Sequence, residues 1–268
     1  MNSTYVKVMR SMYAMFSVED KVVIITGAGQ GMGAAAAELF ADAGAKVIVA
    51  DFNEKTGMAE VEKIRKNHGE ATFCKVDVTK EEEVKNMVDF TVKTYGRLDV
   101  AINNAARTPD DKPLAELDIN EFDKVMDVDI RGVALCMKYE IKQMLKQTEG
   151  GSIVNTSSVS GIRPQPNTPA YVAAKHAVIG LTKQGALDYS HYNIRINAVA
   201  PGAIDTPMLR NALVQFNLDP DEYAKQLSML GRFGQPEEIA KAYLWLASDL
   251  SSFVTGICLS VDGGYVSK

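Results

Sequence analysis

The sequence predicts an α/β protein built on one doubly wound parallel sheet. Three observations carry that expectation. Short runs rich in Val and Ile alternate with longer stretches of helical periodicity along nearly the whole chain. The runs are almost continuously apolar, as strands buried on both faces must be. The stretches between them are long enough for the helical crossovers that parallel strands require.

The strand-like runs are 21–26 (KVVIIT), 46–51 (KVIVAD), 71–76, 98–102, 152–156, 194–199 and 256–261 (GICLSV). Helical patterns cover 32–43, 55–67, 80–95, 119–147, 170–190 and 236–248. This alternation predicts a seven-stranded parallel sheet flanked by helices on both faces. No internal repeat or linker breaks it, so 15–268 is expected to form a single domain. The Pro-rich piece 161–169 (GIRPQPNTP) is too short to separate domains. It reads as a loop at the C-terminal end of a strand, where ligands sit in such sheets. Residues 1–14 read as a disordered, dispensable extension or a mis-assigned start, because Met15 stands just ahead of the first strand.

Composition narrows the function classes. The 268 residues are 46% hydrophobic and 24% charged, a globular balance. A chain near this length hides roughly 75% of the surface its unfolded form exposes. Net charge is -5 without a basic run, so neither nucleic acid nor an anionic membrane surface is an expected partner. No apolar run reaches the length of a membrane span. Cys74, Cys136 and Cys258 are widely separated, which suits reduced thiols in a cytoplasmic protein. His68, His176 and His191 lack metal-ligand spacing, so no metal is expected.

The first strand runs into Thr26-Gly27-Ala28-Gly29-Gln30-Gly31-Met32-Gly33 and then an Ala-rich helix. Glycines permit a tight turn and let a pyrophosphate approach the backbone, and the helix N-terminus supplies free N–H donors. The strand before and the helix after make this a dinucleotide-binding, Rossmann-type signature. The second strand ends in Asp51, 18 residues beyond Gly33. An acid there accepts from the adenosine ribose hydroxyls and repels the extra phosphate of NADP. No Arg or Lys stands at 28–30 or 52–53 to hold that phosphate, so NAD is the expected cofactor.

A second constellation follows the fifth strand. Ser157 and Ser158 end it, and Tyr171-Val-Ala-Ala-Lys175 lies 13 residues past Ser158. Tyr and Lys four apart share one face of a helix. A free phenol, with pKa ≈ 10, is a poor base at neutral pH. A nearby ammonium favours its ionised form, so Lys175 together with the positive nicotinamide of NAD is expected to lower the Tyr171 pKa.

With these motifs together the chain resembles the short-chain dehydrogenase/reductase family, from Phe16 to the C-terminus. The matching segments are 26–33, Asp77-Val78, Asn103-Asn104-Ala105-Ala106, Ser158, Tyr171 with Lys175, Asn197-Ala-Val-Ala-Pro201-Gly202, Thr206 and Val261-Asp-Gly-Gly264. The resemblance implies that Tyr171 is the general acid/base, that Ser158 orients the substrate oxygen, and that Lys175 holds the nicotinamide ribose. It implies dinucleotide contacts from Gly27, Gln30, Gly31, Met32, Gly33, Asp51, Phe52, Asp77, Val78, Asn104, Tyr171, Lys175, Pro201, Gly202, Ile204 and Thr206. It also implies a homotetramer and a mobile substrate lid at 203–231.

One position departs from the family pattern. The middle-helix asparagine is replaced in Val125-Met-Asp127-Val-Asp129-Ile-Arg-Gly132 by Asp129. Asp keeps an oxygen acceptor and loses the amide donors. The expectation is a catalytic role for Asp129 in a relay with an altered pH profile. Ala106, where the pattern has Gly, is a minor second departure.

Loops 106–114, 160–169 and 203–231 are expected to border the substrate. Apolar residues of the lid, among them Met208, Leu213, Val214, Phe216 and Met229, read first as core-facing and second as a hydrophobic pocket. Arg107, Arg163 and Arg210 read as solvated, with an anionic substrate tail as the alternative. The resemblance implies oxidation of a cyclic or bulky secondary alcohol, or reduction of the matching ketone, with a hydroxysteroid or bile acid among the candidates. The alternatives are a 3-oxoacyl-carrier-protein reductase and, in another class, a non-catalytic NAD-binding sensor or scaffold.

Overall fold

In the computed structural model, residues 18–268 are described; the expected extension 1–14 lies outside the described residues. Seven strands form one parallel sheet: β1 (Val22–Thr26), β2 (Lys46–Asp51), β3 (Glu70–Lys75), β4 (Val100–Asn103), β5 (Gly151–Thr156), β6 (Ile194–Pro201) and β7 (Cys258–Val261). Their order is β3-β2-β1-β4-β5-β6-β7. The chain thus winds one way from β1 to β3 and the other way from β4 to β7. Successive side chains of a strand point to opposite faces. Val23 and Ile25 of β1 join one core cluster, whereas Ile24 joins the other. Val47 and Val49 of β2 separate in the same way from Ile48 and Ala50. Both faces are apolar, which is why the runs are continuous rather than alternating.

Helices cover the two faces. α1 (Gly31–Asp42), α2 (Glu54–Lys66) and α9 (Pro236–Ala247) pack on one. α3 (Glu81–Tyr95), α5 (Val133–Met144) and α6 (Pro169–Tyr189) pack on the other. The alanines of α1 keep it thin, so it lies close against α9 with Ala36, Ala37 and Phe40 buried. Tyr243 of α9 is also fully buried, and its hydroxyl is satisfied by the Thr156 hydroxyl at 2.8 Å.

Two regions differ from the sequence expectation. The pattern at 119–147 is not one helix. α4 (Ile119–Met126) is followed by a π-helical turn, Asp127–Gly132, before α5 begins. A single wide turn of this kind inserts one residue and re-aims side chains, and such turns recur at functional sites. The expected lid folds as α7 (Pro207–Gln215) and α8 (Pro220–Leu227), each started by a capping side chain, Thr206 or Asp219, and a proline. Its apolar residues are not mainly core-facing. Leu213 is buried, but Met208, Val214, Phe216 and Met229 are exposed. Among the described residues no helix is long and apolar enough to cross a membrane.

Candidate active site

The winding reverses between β1 and β4, and open α/β sheets bind ligands in the crevice beyond the C-terminal strand ends at such a point. One half of its wall is mostly backbone. The chain leaves β1 through Gly27 and Gly31, both at positive φ, 65° and 60°. Gln30 precedes α1 without a side-chain cap, and the first turn holds no acid. The leading N–H groups of α1 and the positive end of its dipole are therefore left for an anion. At Gly33 a Cβ would stand 2.2 Å from the Gly27 carbonyl oxygen, so only glycine lets α1 approach this closely. The Met32 side chain packs toward the core, which leaves its N–H as its offering to the crevice.

Asp51 ends β2 with its carboxylate buried. It accepts from the Gly29 N–H at 2.8 Å and from the Asn53 N–H at 2.8 Å. A carboxylate has about four acceptor positions, so two remain for a ribose diol. Phe52 beside it is 74% exposed. Asn104 fastens the end of β4 to the glycine loop. Its Nδ2 donates to the carbonyls of Thr26 and Gly27 at 3.1 and 3.2 Å, and its buried Oδ1 lacks a protein partner. Asp77 accepts from the Thr79 N–H and hydroxyl, and Val78 is buried against Gly132. Pro201 ends β6 and Gly202 follows it, where a Cβ on Gly202 would meet the Asp262 backbone at 2.8 Å. Ile204 bridges to Gly234, and the Thr206 hydroxyl accepts from the Leu209 N–H of α7. The uncapped helix, the glycine cradle and the orphan Asn104 oxygen fit a dinucleotide.

The other half is built of side chains. Ser158 follows β5, and α6 carries Tyr171 and Lys175 one turn apart. Lys175 is 1% exposed and Asp129 0%. The Lys175 Nζ lies 3.1 Å from Asp129 Oδ2 and donates to the Thr156 carbonyl at 3.2 Å. It stands 5.2 Å from the centre of the Tyr171 ring. The π turn brings Asp129 inward, and its Oδ1 accepts from the Arg107 N–H at 2.8 Å. The Ser157 hydroxyl donates to the Lys175 carbonyl at 2.8 Å, tying β5 to α6. All four expected catalytic residues therefore meet at one place.

The protein's own groups supply one part of the expected lowering of the Tyr171 pKa. Burial pushes the Tyr171 phenol up; Lys175 pulls it down, Asp129 raises it and the Ser158 hydrogen bond lowers it, with a net upward shift. Lys175 alone does not offset desolvation. Burial lowers the Lys175 pKa, but Asp129 and Tyr171 outweigh it and the ammonium is held above its usual range.

The three arginines find partners within the protein. Arg107 pairs with Glu121 at 3.3 Å and Arg210 with Asp205 at 2.6 Å, while Arg163 donates to the Lys268 carbonyl at 3.1 Å. His176 is exposed and its Nδ1 pairs with the Val172 carbonyl on its own helix. Among the described residues no group of three His, Cys, Asp or Glu side chains could hold a metal ion.

The chain is similar to several known proteins. A sequence profile described as enoyl-(acyl carrier protein) reductase matches residues 27–266. A 2,5-dichloro-2,5-cyclohexadiene-1,4-diol dehydrogenase of Sphingobium indicum is 44% identical over 94% of this chain and 100% of its own length. A cyclohexanol dehydrogenase of an Acinetobacter species is 41% identical over 93% of this chain and 96% of its own. The crystal structure of a levodione reductase superposes with a TM-score of 0.88 at 38% identity, covering 93% of this chain and 98% of the other. The chain belongs to the short-chain dehydrogenase/reductase family, whose fold binds a nicotinamide dinucleotide.

Several contributors were not visible in the sequence. The Arg107 N–H and the Thr156 carbonyl act through backbone, which carries no residue signature. Asp110 accepts from the N–H groups of Ala170 and Tyr171, 60 and 61 residues away, and no local pattern announces such a contact.

Proposed function

We propose that this chain is an NAD-dependent dehydrogenase of a cyclic or bulky secondary alcohol, with a Ser158–Tyr171–Lys175 mechanism. The convergence of Ser158, Tyr171, Lys175 and Asp129 across the crevice from the glycine loop carries this reading. The relatives named for cyclohexanol and a cyclohexadiene diol support the ring-bearing substrate. Hydroxysteroids are the larger members of the same class. NAD, when bound, accepts the hydride released from the carbinol carbon.

The protein's own groups handle the proton. The Ser158 Oγ, held by the Ser160 N–H at 3.1 Å, hydrogen-bonds the substrate oxygen and orients it. The Tyr171 Oη takes the hydroxyl proton as the carbon–oxygen double bond forms, and returns one in the reverse direction. Lys175 supplies the positive charge that opposes the desolvation of Tyr171. Asp129 keeps Lys175 charged and directed. The lid segment 203–231 is taken to border an apolar ring, which gives its exposed Val214, Phe216 and Met229 a function. Asp51 supports NAD over NADP, because a second negative charge beside this buried carboxylate is repelled. The assembly is proposed to be a homotetramer, and light scattering tests it.

A 340 nm assay tests the catalytic reading. NAD and NADP are offered separately with cyclohexanols, alicyclic diols and hydroxysteroids, beside acetoacetyl thioesters with each reduced cofactor. Turnover of a cyclic alcohol with NAD is the expected result. Thioester reduction with NADPH alone would overturn both substrate class and cofactor. Dinucleotide binding without turnover of any of these would instead favour a sensor or scaffold.

A further inference from the structure

The first turn of a helix leaves N–H groups without intrahelical partners. In α6, Pro169 has no N–H, and the Val172 N–H reaches the Thr168 carbonyl at 2.9 Å. The Ala170 and Tyr171 N–H groups remain. Thr168 stands at the capping position but makes no side-chain cap; its hydroxyl donates to the Gln165 carbonyl at 3.3 Å. Instead, Asp110 reaches across from loop 106–114. Its Oδ2 accepts from Ala170 N and its Oδ1 from Tyr171 N, both at 3.0 Å. A carboxylate on a helix N-terminus also complements the positive end of the dipole.

The same loop is fixed at a second point. The Arg107 N–H donates to Asp129 Oδ1 at 2.8 Å, and Asp129 Oδ2 faces the Lys175 Nζ. Three residues apart, the loop thus grips both ends of the Tyr171–Lys175 pair. Phe122 and Met126 of α4, Ile130 of the π turn and Tyr171 all pack against a buried cluster of Val125, Ala170 and Ala174. Apolar packing is non-directional, whereas the two Asp110 hydrogen bonds fix the first turn of α6 relative to the loop.

We propose that Asp110 is a positioning residue for Tyr171. It clamps loop 106–114 onto the first turn of α6, so that the substrate-bordering loop and the proton-transfer group hold one geometry. The proposal rests on the reading of Tyr171 as the acid/base. It adds that the catalytic helix is capped from outside because a local cap would leave the loop untied.

The test uses the full chain with NAD and the cyclic alcohol it turns over best. Asp110→Ala is expected to lower kcat about 10- to 100-fold, as small misplacements of a reacting group do. The NAD dissociation constant, read by fluorescence titration, is expected to stay within about twofold. Asp110→Asn keeps one acceptor oxygen, and recovery of most of the lost kcat is expected. Adding Thr168→Asp to Asp110→Ala supplies a local cap. This pair is expected to regain thermal stability without regaining kcat.

An unchanged kcat in Asp110→Ala would overturn the proposal. So would recovery of kcat by Thr168→Asp, because capping alone would then be the whole role. Tyr171→Phe is measured alongside. If it is inactive while Asp110→Ala is not impaired, only the positioning role fails. If it retains full turnover, the acid/base reading fails and the positioning role with it.

Discussion

The two halves of the crevice are made of different material. The β1–β3 half offers backbone: an uncapped helix, glycines at positive φ, and a carboxylate held by two N–H groups. The β4–β6 half offers side chains: a buried ammonium against a buried carboxylate, with a phenol and a hydroxyl beside them. A backbone site depends on what is absent, since it needs positions without Cβ. A side-chain site depends on what each group has for company. The first half is consequently sensitive to bulk and the second to charge.

Five substitutions sharpen or break that contrast. The largest effect is expected from Tyr171→Phe. It should lower kcat at least about 10³-fold, within the range for losing a general acid–base group, while NAD still binds. Stopped-flow turnover and a binding titration measure the two separately. Gly33→Val is the counterpart on the backbone side. Its side chain must occupy space 2.2 Å from the Gly27 carbonyl, so dinucleotide binding should be lost while Tyr171 is untouched. Detectable binding at millimolar NAD would show that α1 can move away. Asp51→Ala comes next. Losing hydrogen bonds to a charged acceptor costs about 1.5–3 kcal/mol, so NAD affinity should weaken roughly 10- to 100-fold and the preference over NADP should narrow.

The fourth test compares two carboxylates, both 0% exposed, one in the π turn and one in α5. Asp129 has an ammonium at 3.1 Å. Glu140 has the Asn103 amide at 3.0 Å. Burial pushes the Glu140 pKa up from 4.5 to about 8, with the Asn103 hydrogen bond pulling the other way. A raised acid pKa means the folded protein keeps a proton that the unfolded chain releases. The stabilisation is complete below about pH 4.5 and is lost as pH rises toward 8. Glu140→Gln removes that slope. Against wild type it should gain stability progressively from pH 5 to 8, by a few kcal/mol at most. Parallel denaturant midpoints across this range would show that Glu140 carries no such proton.

Asp129→Asn is expected to have the smallest effect. Asp129 raises the pKa of Tyr171 and of Lys175. Neutralising it lowers both, so the rising limb of kcat/KM for alcohol oxidation should move to lower pH. A profile that overlays wild type would remove Asp129 from the proton-transfer machinery.

Particular residues show how much was legible beforehand. The glycine loop could be read because its function lies in spacing: Gly27, Gly31 and Gly33 must stand between a strand and a helix. Asp51 could be read because a strand end fixes its place. Tyr171 and Lys175 were legible as a helical pair, but their surroundings were not. The sign of the Tyr171 shift depends on how much water is excluded from it. Asp129 was recognisable as a departure, whereas the π turn that buries it was not. Its pattern reads as ordinary helix from 119 to 147, and the turn differs from a helix only in hydrogen-bond register.

By itself the sequence determined the α/β class, the seven strands, the family and the candidate site residues. Each follows from local periodicity or from motifs whose spacing is fixed along the chain. Tertiary structure alone decided the strand order, the Lys175–Asp129 ion pair, the direction of the Tyr171 shift and the grip of Asp110 on α6. These depend on groups far apart in the chain and on the exclusion of water between them. Packing sets both quantities, and no local pattern of residues encodes them.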